Sequence, residues 1–303
     1  MKVGFIIPMG EDGDTGDSPR YADIRALALQ AEAAGFDSVW VYDHLLYRFP
    51  ERGTMGVWEC WSVLSALAEA TERVELGTLV MPVSWRNPAL LAKMATTVDE
   101  ISNGRLILGI GTGFHAPEFE AFGYEHDHLA SRFEEGIKII RALLRDGKVD
   151  FRGTYFSAPD CEIRPRGPRP DGPPILVASN GERMLRLTAQ HADAWNTAWF
   201  GPVEDAAERR ARFEQACRDV GRDPSTIETT IGVHCAMPFE GVEFDPAKVI
   251  TGSPEEIAAG LRAYAESGVS HVICGAPASM RPEYVSHVIA QVGEALVIYR
   301  DEA

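Results

Sequence analysis

Eight short runs rich in β-branched and aromatic residues recur along this chain, and stretches with helical periodicity follow them. This alternation predicts parallel strands covered by helices, because two parallel strands need a long crossover between them. The predicted strands occupy residues 3–8, 37–42, 74–80, 105–109, 174–178, 193–197, 227–233 and 270–275. Eight such units predict one α/β domain over 1–303, a (β/α)₈ TIM barrel. An open doubly wound sheet is the alternative, but no good dinucleotide fingerprint supports it.

The chain has 303 residues, more than the ~250 that such a barrel typically takes. The surplus falls in two polar stretches rich in proline or glycine, 147–173 after the fourth helix and 238–252 after the seventh strand. We interpret both as excursions from the barrel. One helix start is well marked, because Ser253 and Glu256 form a capping box with Pro254 at the first helical position.

The charge balance limits the partners that the chain can have. Its formal net charge is -16, and such a surface repels nucleic-acid phosphates and anionic membranes. No apolar run approaches the length of a membrane span. The five cysteines are widely spaced and include no Cys-x-x-Cys pair, so a zinc site or a disulfide framework is not indicated and a reducing cytoplasm fits best. We expect a small-molecule substrate.

Functional groups in a parallel barrel lie at the carboxyl ends of the strands, which shortens the list of candidates. After the second strand, Asp43 and His44 stand side by side and could transfer a proton or hydrogen-bond a cofactor. A histidine satisfied by the backbone of an ordinary loop is the alternative. The third strand ends in Thr78, Leu79 and Val80, an apolar end that could be either a wall for a flat ring or core.

The fourth strand runs into alternating glycines at 109–113, including Gly111 and Gly113 on either side of Thr112. Glycines in this arrangement let a ligand approach the backbone closely. The pattern is not the dinucleotide fingerprint, because Phe114 stands where the last glycine belongs. Taken alone, this glycine pattern is only a weak indication of a ligand-binding site.

The fifth strand is followed by Ser179, Asn180 and Gly181 and then by a helix. Ser179 or Asn180 could cap that helix, and its free N–H groups would form an anion site suited to a cofactor phosphate. A plain helix cap without a ligand is the alternative.

Taken in order, these segments resemble the luciferase-like monooxygenase superfamily. The matching segments are GFDSVW at 35–40, DH at 43–44, ATERVELGT at 70–78, NPA at 87–89, AK at 92–93, DEISNGR at 99–105, GIGTG at 109–113, EF at 118–119, FG at 122–123, G-x-YF at 153–156, PPI at 173–175 and ADAWN at 192–196. The resemblance implies a barrel that binds the deazaflavin coenzyme F420 or reduced FMN. It also implies that His44 lies near the cofactor ring and that Leu79-Val80 carries a cis peptide forming a bulge behind that ring.

The cofactor-binding residues follow from the same resemblance, with the cofactor phosphate held by the loop at 179–181. They are Thr78, Leu79, Val80, Gly111, Thr112, Gly113, Ser179, Asn180 and Gly181. The glycine stretch and the Asp-His pair favour F420, with hydride transfer at the cofactor, proton transfer by His44, and Asp43 orienting His44 or the cofactor. A reduced-FMN-dependent monooxygenase is the alternative.

One departure from the family bears on the substrate. Sugar-phosphate dehydrogenases of the deazaflavin branch place an acid directly after the glycines, where this chain has Phe114. No lysine stands at a strand end to hold a substrate phosphate. We therefore expect an apolar or aromatic substrate, with Phe114, Trp85 and Trp199 as candidate pocket residues.

Two other classes of protein compete with this interpretation. A metal-dependent barrel hydrolase could use residues from the set Asp43, His44, His115, His234 and His271, but the sequence shows no paired ligand motif such as His-x-x-x-His. A non-catalytic flavin-binding barrel would share the fold without turnover. Relatives in the superfamily are commonly dimers, and the apolar stretch 58–70 would suit a homodimer interface or a core face equally well.

Overall fold

The computed structural model describes residues 1–13, 15–51 and 53–301. The strands are β1 (Lys2–Ile6), β2 (Ser38–Val41), β3 (Leu46–Phe49), β4 (Gly53–Gly56), β5 (Glu75–Thr78), β6 (Met81–Pro82), β7 (Leu106–Gly111), β8 (Lys148–Arg152), β9 (Ser157–Glu162), β10 (Ile175–Ala178), β11 (Ala194–Phe200), β12 (Glu228–His234) and β13 (His271–Gly275). The α-helices are α1 (Tyr21–Ala33), α2 (Cys60–Ala70), α3 (Pro88–Ile101), α4 (Ala116–Phe122), α5 (Leu129–Asp146), α6 (Glu182–His191), α7 (Glu204–Asp219), α8 (Pro254–Glu266) and α9 (Pro282–Asp301).

A closed parallel barrel forms the centre of the structure. Its strands pair in the order β1, β2, β5, β7, β10, β11, β12, β13, and β13 pairs with β1 to close the ring. The predicted TIM barrel is confirmed, and each predicted strand coincides with an observed one to within a few residues. The doubly wound alternative is wrong. An open sheet has two edge strands with unpaired backbone groups, whereas in this barrel β13 pairs with β1 and no such edge is left.

Both predicted excursions leave the barrel. Residues 147–173 contain the antiparallel β8–β9 hairpin, and residues 238–252 contain a 3₁₀ turn at Pro246–Lys248 before α8. The predicted capping box of α8 is present, with Glu256 N–H donating to Ser253 Oγ. The structure adds an excursion that the sequence did not predict, the β3–β4 hairpin that directly follows β2. It brings Tyr47 to the mouth of the barrel.

The interior of the barrel is not an open pore but is filled by side chains, of which the Trp40 indole is the largest. Trp40 is fully buried there, together with Ile107, Leu176, Ala194 and Ile273. The neighbouring strand makes room for it with Gly77, where an added Cβ would lie 2.1 Å from the Trp40 ring. The Trp40 indole, packed beside Gly77, therefore closes the barrel interior below its carboxyl-terminal opening.

Some residues that carry the family resemblance lie at the amino ends of the strands, away from the mouth. The Arg105 guanidinium donates hydrogen bonds to the carbonyls of Ala68, Thr71 and Val74, which fastens the end of α2 to the start of β5. Asp99 is buried and pairs with Arg169 from the first excursion. In such barrels this end serves stability, whereas chemistry takes place at the other end.

Helix α2 faces the chain's own core along most of its length. Cys60, Leu64 and Leu67 are fully buried in that core, whereas Trp58, just before the helix, is 50% exposed. The dimer interface therefore stays a prediction. The five cysteines, all among the described residues, are free thiols. None of the helices described is both long and apolar enough to cross a membrane.

Gly109→Ala tests how tightly β5 and β7 approach each other. A Cβ at Gly109 would lie 1.8 Å from the Thr78 carbonyl oxygen, so backbone would have to move. We expect the free energy of unfolding to fall by about 3 kcal/mol or more, at the upper end of overpacking costs. Urea denaturation followed by circular dichroism measures it.

The control is Gly260→Ala in α8, where the nearest atom to an added Cβ lies 3.5 Å away. There we expect no loss, because alanine in a helix is favoured over glycine by roughly 0.5–1 kcal/mol. Equal stabilities of Gly109→Ala and the unsubstituted protein would contradict the packing described here.

Candidate active site

Two adjoining hollows open at the carboxyl ends of the barrel strands. The larger, which we call the polar compartment, has a volume of about 460 Å³, and the smaller, the apolar cleft, about 310 Å³. Four residues line both hollows: His44, Leu79, Phe114 and Trp199. Both volumes fall in the range of ligand pockets, about 300–1,000 Å³. The mouth of the barrel therefore offers two neighbouring environments of different chemistry.

Most predicted cofactor-binding residues line the polar compartment. They are Leu79, Val80, Gly111, Thr112, Gly113, Ser179, Asn180 and Gly181.

Thr78 and Trp85 do not line either hollow. The Thr78 hydroxyl is buried in the sheet, where it donates to the Gly109 carbonyl at 2.7 Å and accepts from the Gly109 N–H at 2.9 Å. Trp85 is also buried and packs on Phe119 and Tyr124, so its prediction as a substrate-pocket residue is wrong.

A bulge at the end of the third barrel strand forms one wall of the polar compartment. The Leu79–Val80 peptide is cis, as the resemblance implies, and it lies between β5 and β6. An added Cβ at Gly111 would lie 2.8 Å from the Val80 side chain. Gly109 likewise faces the Thr78 carbonyl. The glycines therefore make room for the protein's own bulge, and Gly111 also lines the polar compartment, so its role in cofactor binding stays a prediction.

The loop before α6 offers an anion site, although not by the capping that was predicted. The Ser179 hydroxyl hydrogen-bonds Thr188 Oγ1 at 2.8 Å, and Asn180 Oδ1 accepts from Thr197 Oγ1 at 3.0 Å. The helix cap is Gly181, without a side-chain hydrogen bond, so the predicted cap by Ser179 or Asn180 is wrong. An added Cβ at Gly181 would meet nothing within 4 Å. The first turn of α6 is thus open toward the polar compartment.

His44 is held in place by a buried carboxylate from another element. Its Nδ1 lies 3.0 Å from Glu118 Oε1. Glu118, in α4, also accepts a hydrogen bond from the Leu45 N–H at 3.0 Å and is fully buried. The bond to a carboxylate assigns the tautomer with the proton on Nδ1, which leaves Nε2 as the free basic nitrogen.

Asp43 is engaged elsewhere, a correction to its predicted role of orienting His44. Arg86 donates to its two oxygens at 2.5 and 3.2 Å and also binds Glu59 at 2.6 Å. Burial raises the pKa of the Asp43 carboxyl, and the Arg86 guanidinium acts against that effect. Asp43 still lines the polar compartment, but the group that orients His44 is Glu118. The sequence contained Glu118 only as part of a matching segment, with no sign of its partner.

Aromatic side chains form the walls of the apolar cleft. The Phe114 ring is 74% exposed and stands edge-on to His44, 5.6 Å away. Trp199 follows a second cis peptide, Ala198–Trp199, and stacks on His234 at 5.4 Å. The structure therefore brings both predicted pocket residues, Phe114 and Trp199, to the mouth. Trp195, on the same strand, instead packs in the core on Phe213.

Tyr47 is a cleft residue that the sequence analysis missed, because the hairpin carrying it was not predicted. Its ring centroid lies 4.4 Å from that of His44. Burial raises the pKa of the Tyr47 hydroxyl far above its usual range, so the group keeps its proton. Tyr42 lies nearby and accepts hydrogen bonds from the N–H groups of Met9 and Gly10 at 2.7 and 2.8 Å.

The residues considered for a metal site do not converge. His271 lies at the amino end of β13, bonded to Ser38 Oγ, and burial lowers its pKa to about 3. His115 accepts the Arg48 N–H at 3.0 Å. Within residues 1–13, 15–51 and 53–301, no three His, Cys, Asp or Glu side chains come together in a way that could hold a metal ion. This arrangement does not favour the metal-dependent hydrolase.

Comparison with known proteins identifies the family of this chain. Residues 1–238 match the family model of luciferase-like monooxygenases. The chain belongs to this family. It is 36% identical over 199 residues to the F420-dependent glucose-6-phosphate dehydrogenase of Amycolatopsis mediterranei, covering 64% of this chain and 56% of that relative. It is 30% identical over 248 residues to the pyrimidine monooxygenase RutA of Klebsiella pneumoniae, covering 74% of this chain and 64% of that relative. The chain thus spans less than two thirds of the length of either relative.

Solved structures of the same fold cover nearly the whole chain. An F420-dependent secondary alcohol dehydrogenase in complex with an F420-acetone adduct superposes with a TM-score of 0.79 at 20% identity, covering 99% of both chains. The monooxygenase RslO1 from Streptomyces bottropensis gives 0.81 at 23% identity, covering 99% of this chain and 100% of that one. At these identities the likeness shows the fold alone. The family and the TIM-barrel fold of this chain are therefore both shown.

Asp43→Ala tests whether the Asp43–Arg86 pair is structural. Asp43 is fully buried and the Arg86 side chain is 14% exposed, so removing the carboxylate leaves a largely buried guanidinium with a weaker set of partners. We expect the free energy of unfolding to fall by about 3 kcal/mol, at the lower end of values for broken buried pairs, since Glu59 remains.

The matched control is Glu162→Ala, which removes the carboxylate of the exposed Arg164–Glu162 pair. An exposed pair contributes roughly 0–1 kcal/mol, so this variant should unfold at nearly the original urea concentration. If the two variants lost the same stability, the Asp43–Arg86 pair would have no special structural role.

Proposed function

We propose that this protein is an F420-dependent oxidoreductase that transfers a hydride to or from a small, uncharged, apolar organic substrate. One observation carries the proposal: His44, oriented by the buried Glu118, lies at the boundary between the polar compartment and the apolar cleft. A proton-transferring group belongs at such a boundary, where a cofactor ring and a substrate would meet.

The residues of the polar compartment fit a flat cofactor that ends in a phosphate. Leu79 and Val80 present the bulge as an apolar surface for a ring, and the open first turn of α6 presents N–H groups to an anion. Gly181 leaves that approach clear of any side chain. Coenzyme F420, when bound, supplies the ring carbon that exchanges the hydride, while the protein supplies position and exclusion of water.

The role of His44 follows from its tautomer. With Nδ1–H directed to Glu118, the free Nε2 accepts the hydroxyl proton of an alcohol substrate as the hydride leaves the adjacent carbon. In the reverse direction the imidazolium returns that proton to the oxygen of a carbonyl substrate. The buried Glu118 carboxylate stabilises the imidazolium that exists between these steps.

The apolar cleft supports an uncharged substrate. Among the described residues that line it, none is Lys, Arg, Asp or Glu. A sugar phosphate would need a cation there to offset the cost of removing its charge from water. Although one relative is a glucose-6-phosphate dehydrogenase, this cleft and the position of Phe114 favour an apolar or aromatic alcohol or carbonyl compound.

A reduced-FMN-dependent monooxygenase is the second candidate. The similarity to RutA extends over 74% of this chain, and the polar compartment would also accept the phosphate of FMN. The two candidates differ in the cofactor, so cofactor binding separates them.

The first test is a fluorescence titration of the purified protein with both redox states of F420 and of FMN. We expect F420 to bind at micromolar concentration. Gly181→Asp should weaken it at least tenfold, because a carboxylate would then stand where the phosphate binds and two anions would face each other. Preference for reduced FMN would support the monooxygenase instead.

The control is Gly221→Asp, which adds the same charge after α7, at a glycine with open space around it and a positive φ that aspartate tolerates better than most residues. It should leave the dissociation constant unchanged. Absence of binding by either cofactor would overturn the proposed function. If both variants weakened F420 binding equally, the cofactor phosphate would not be bound by the loop before α6.

The second test separates proton transfer from binding. With benzyl alcohol as the probe substrate, His44→Asn should lower kcat by roughly 10²–10⁴, the usual contribution of a general acid or base. Glu118→Gln should lower kcat by about 10² with little change in KM, because its amide group donates toward Nδ1 and favours the tautomer without a free Nε2. F420 affinity should stay within threefold in both variants. A fall in affinity that matched the fall in kcat would show that His44 serves binding instead.

A further inference from the structure

Trp199 and His234 form a flat wall of the apolar cleft. Their rings are parallel to within 10° with centroids 5.4 Å apart. Gly232 and Gly275 make room for the indole, since an added Cβ would lie 2.9 and 3.1 Å from it, respectively. The indole is 38% exposed and therefore presents its remaining surface to the mouth. The backbone around Trp199 thus fixes an aromatic surface in the cleft.

His234 has hydrogen-bonding capacity that the described part of the protein does not use. It lines the apolar cleft, and its Nδ1 is buried without a partner among the described residues. Burial lowers the pKa of His234, so the ring is neutral near pH 7. A buried N–H without an acceptor is rarer than a buried acceptor without a donor. The tautomer with the proton on Nε2 is therefore favoured, which makes Nε2–H a donor.

The positions of the two histidines set the extent of the site. His44 follows β2 and His234 ends β12, and the ends of β13 and β1 lie between them. With neighbouring strands about 4.8 Å apart, three steps separate the two strand ends by about 14 Å along the rim. Gly275 and Pro8 line the cleft between them. The two histidines therefore enter the cleft from strand ends that are well separated along the rim.

We propose that Trp199 and His234 recognise a planar, aromatic substrate that carries a second, hydrogen-bond-accepting oxygen at the end remote from its reacting carbon. The ring lies against the Trp199 indole, the remote oxygen accepts the His234 Nε2–H, and the reacting group lies at His44. This inference rests on the proposed function for the identity of the reacting end, but the recognition of the remote oxygen does not depend on the cofactor.

The test measures binding of two probes of nearly equal shape, 4-acetylbenzyl alcohol and 4-isopropylbenzyl alcohol, by isothermal titration calorimetry with and without F420. We expect the acetyl compound to bind about three- to tenfold more tightly, the usual effect of one neutral hydrogen bond. His234→Phe keeps a ring against Trp199 but lacks the donor, so the two dissociation constants should become equal. Trp199→Phe should weaken both probes and keep their ratio.

Thermal unfolding of His234→Phe provides a check that the variant is folded. Equal affinities of the two probes for the unsubstituted protein, an unchanged ratio in His234→Phe, or no binding of either probe would each overturn the inference. These outcomes are independent of the cofactor titration. If the protein binds the acetyl probe more tightly but binds no cofactor, the proposed hydride transfer is wrong, and substrate recognition by Trp199 and His234 still holds.

Discussion

The mouth of this barrel depends on the contact between the third and fourth barrel strands. Between the pairs Gly77–Ile107 and Met81–Ile110, one strand contains an extra residue relative to its neighbour, so its backbone bulges. The bulge is accommodated because Gly109 and Gly111 have no side chains where Thr78 and Val80 approach. Where regular pairing is interrupted, the Thr78 hydroxyl donates to the Gly109 carbonyl and accepts from the Gly109 N–H. A wall of the polar compartment is thus backbone, held by the sheet itself.

This contact explains why the fold was predictable while part of the site was not. Strand and helix periodicities are local properties, and they located all eight barrel strands. The rule that chemistry lies at the carboxyl ends of the strands identified His44 as a candidate, and the comparison with the family's sugar-phosphate dehydrogenases added Phe114 and Trp199. The glycines were recognised for their small size, but the sequence does not say whether a ligand or a neighbouring strand fills the space. That depends on the register of two strands, which only the folded sheet fixes.

The partners of charged groups were the least predictable feature, because they come from remote parts of the chain. Asp43 and His44 are adjacent in sequence, yet Arg86 holds one and Glu118 holds the other. Successive residues at a strand end point in different directions, so adjacency there argues against a shared hydrogen bond. Tyr47 was missed for a related reason, since β3 and β4 are short and half-exposed and carry little periodicity.

The separate partners of these two carboxylates also account for the chemistry proposed at His44. Two unpaired anions beside one imidazole would both favour its protonated form and would repel an anionic cofactor. Here the Arg86 guanidinium offsets the charge of Asp43, so the carboxylate in contact with the imidazole is Glu118. His44 thereby keeps one fixed partner on Nδ1 and a free Nε2 at the boundary of the two compartments. An ion pair that does not touch His44 thus leaves Glu118 as the carboxylate that orients its imidazole.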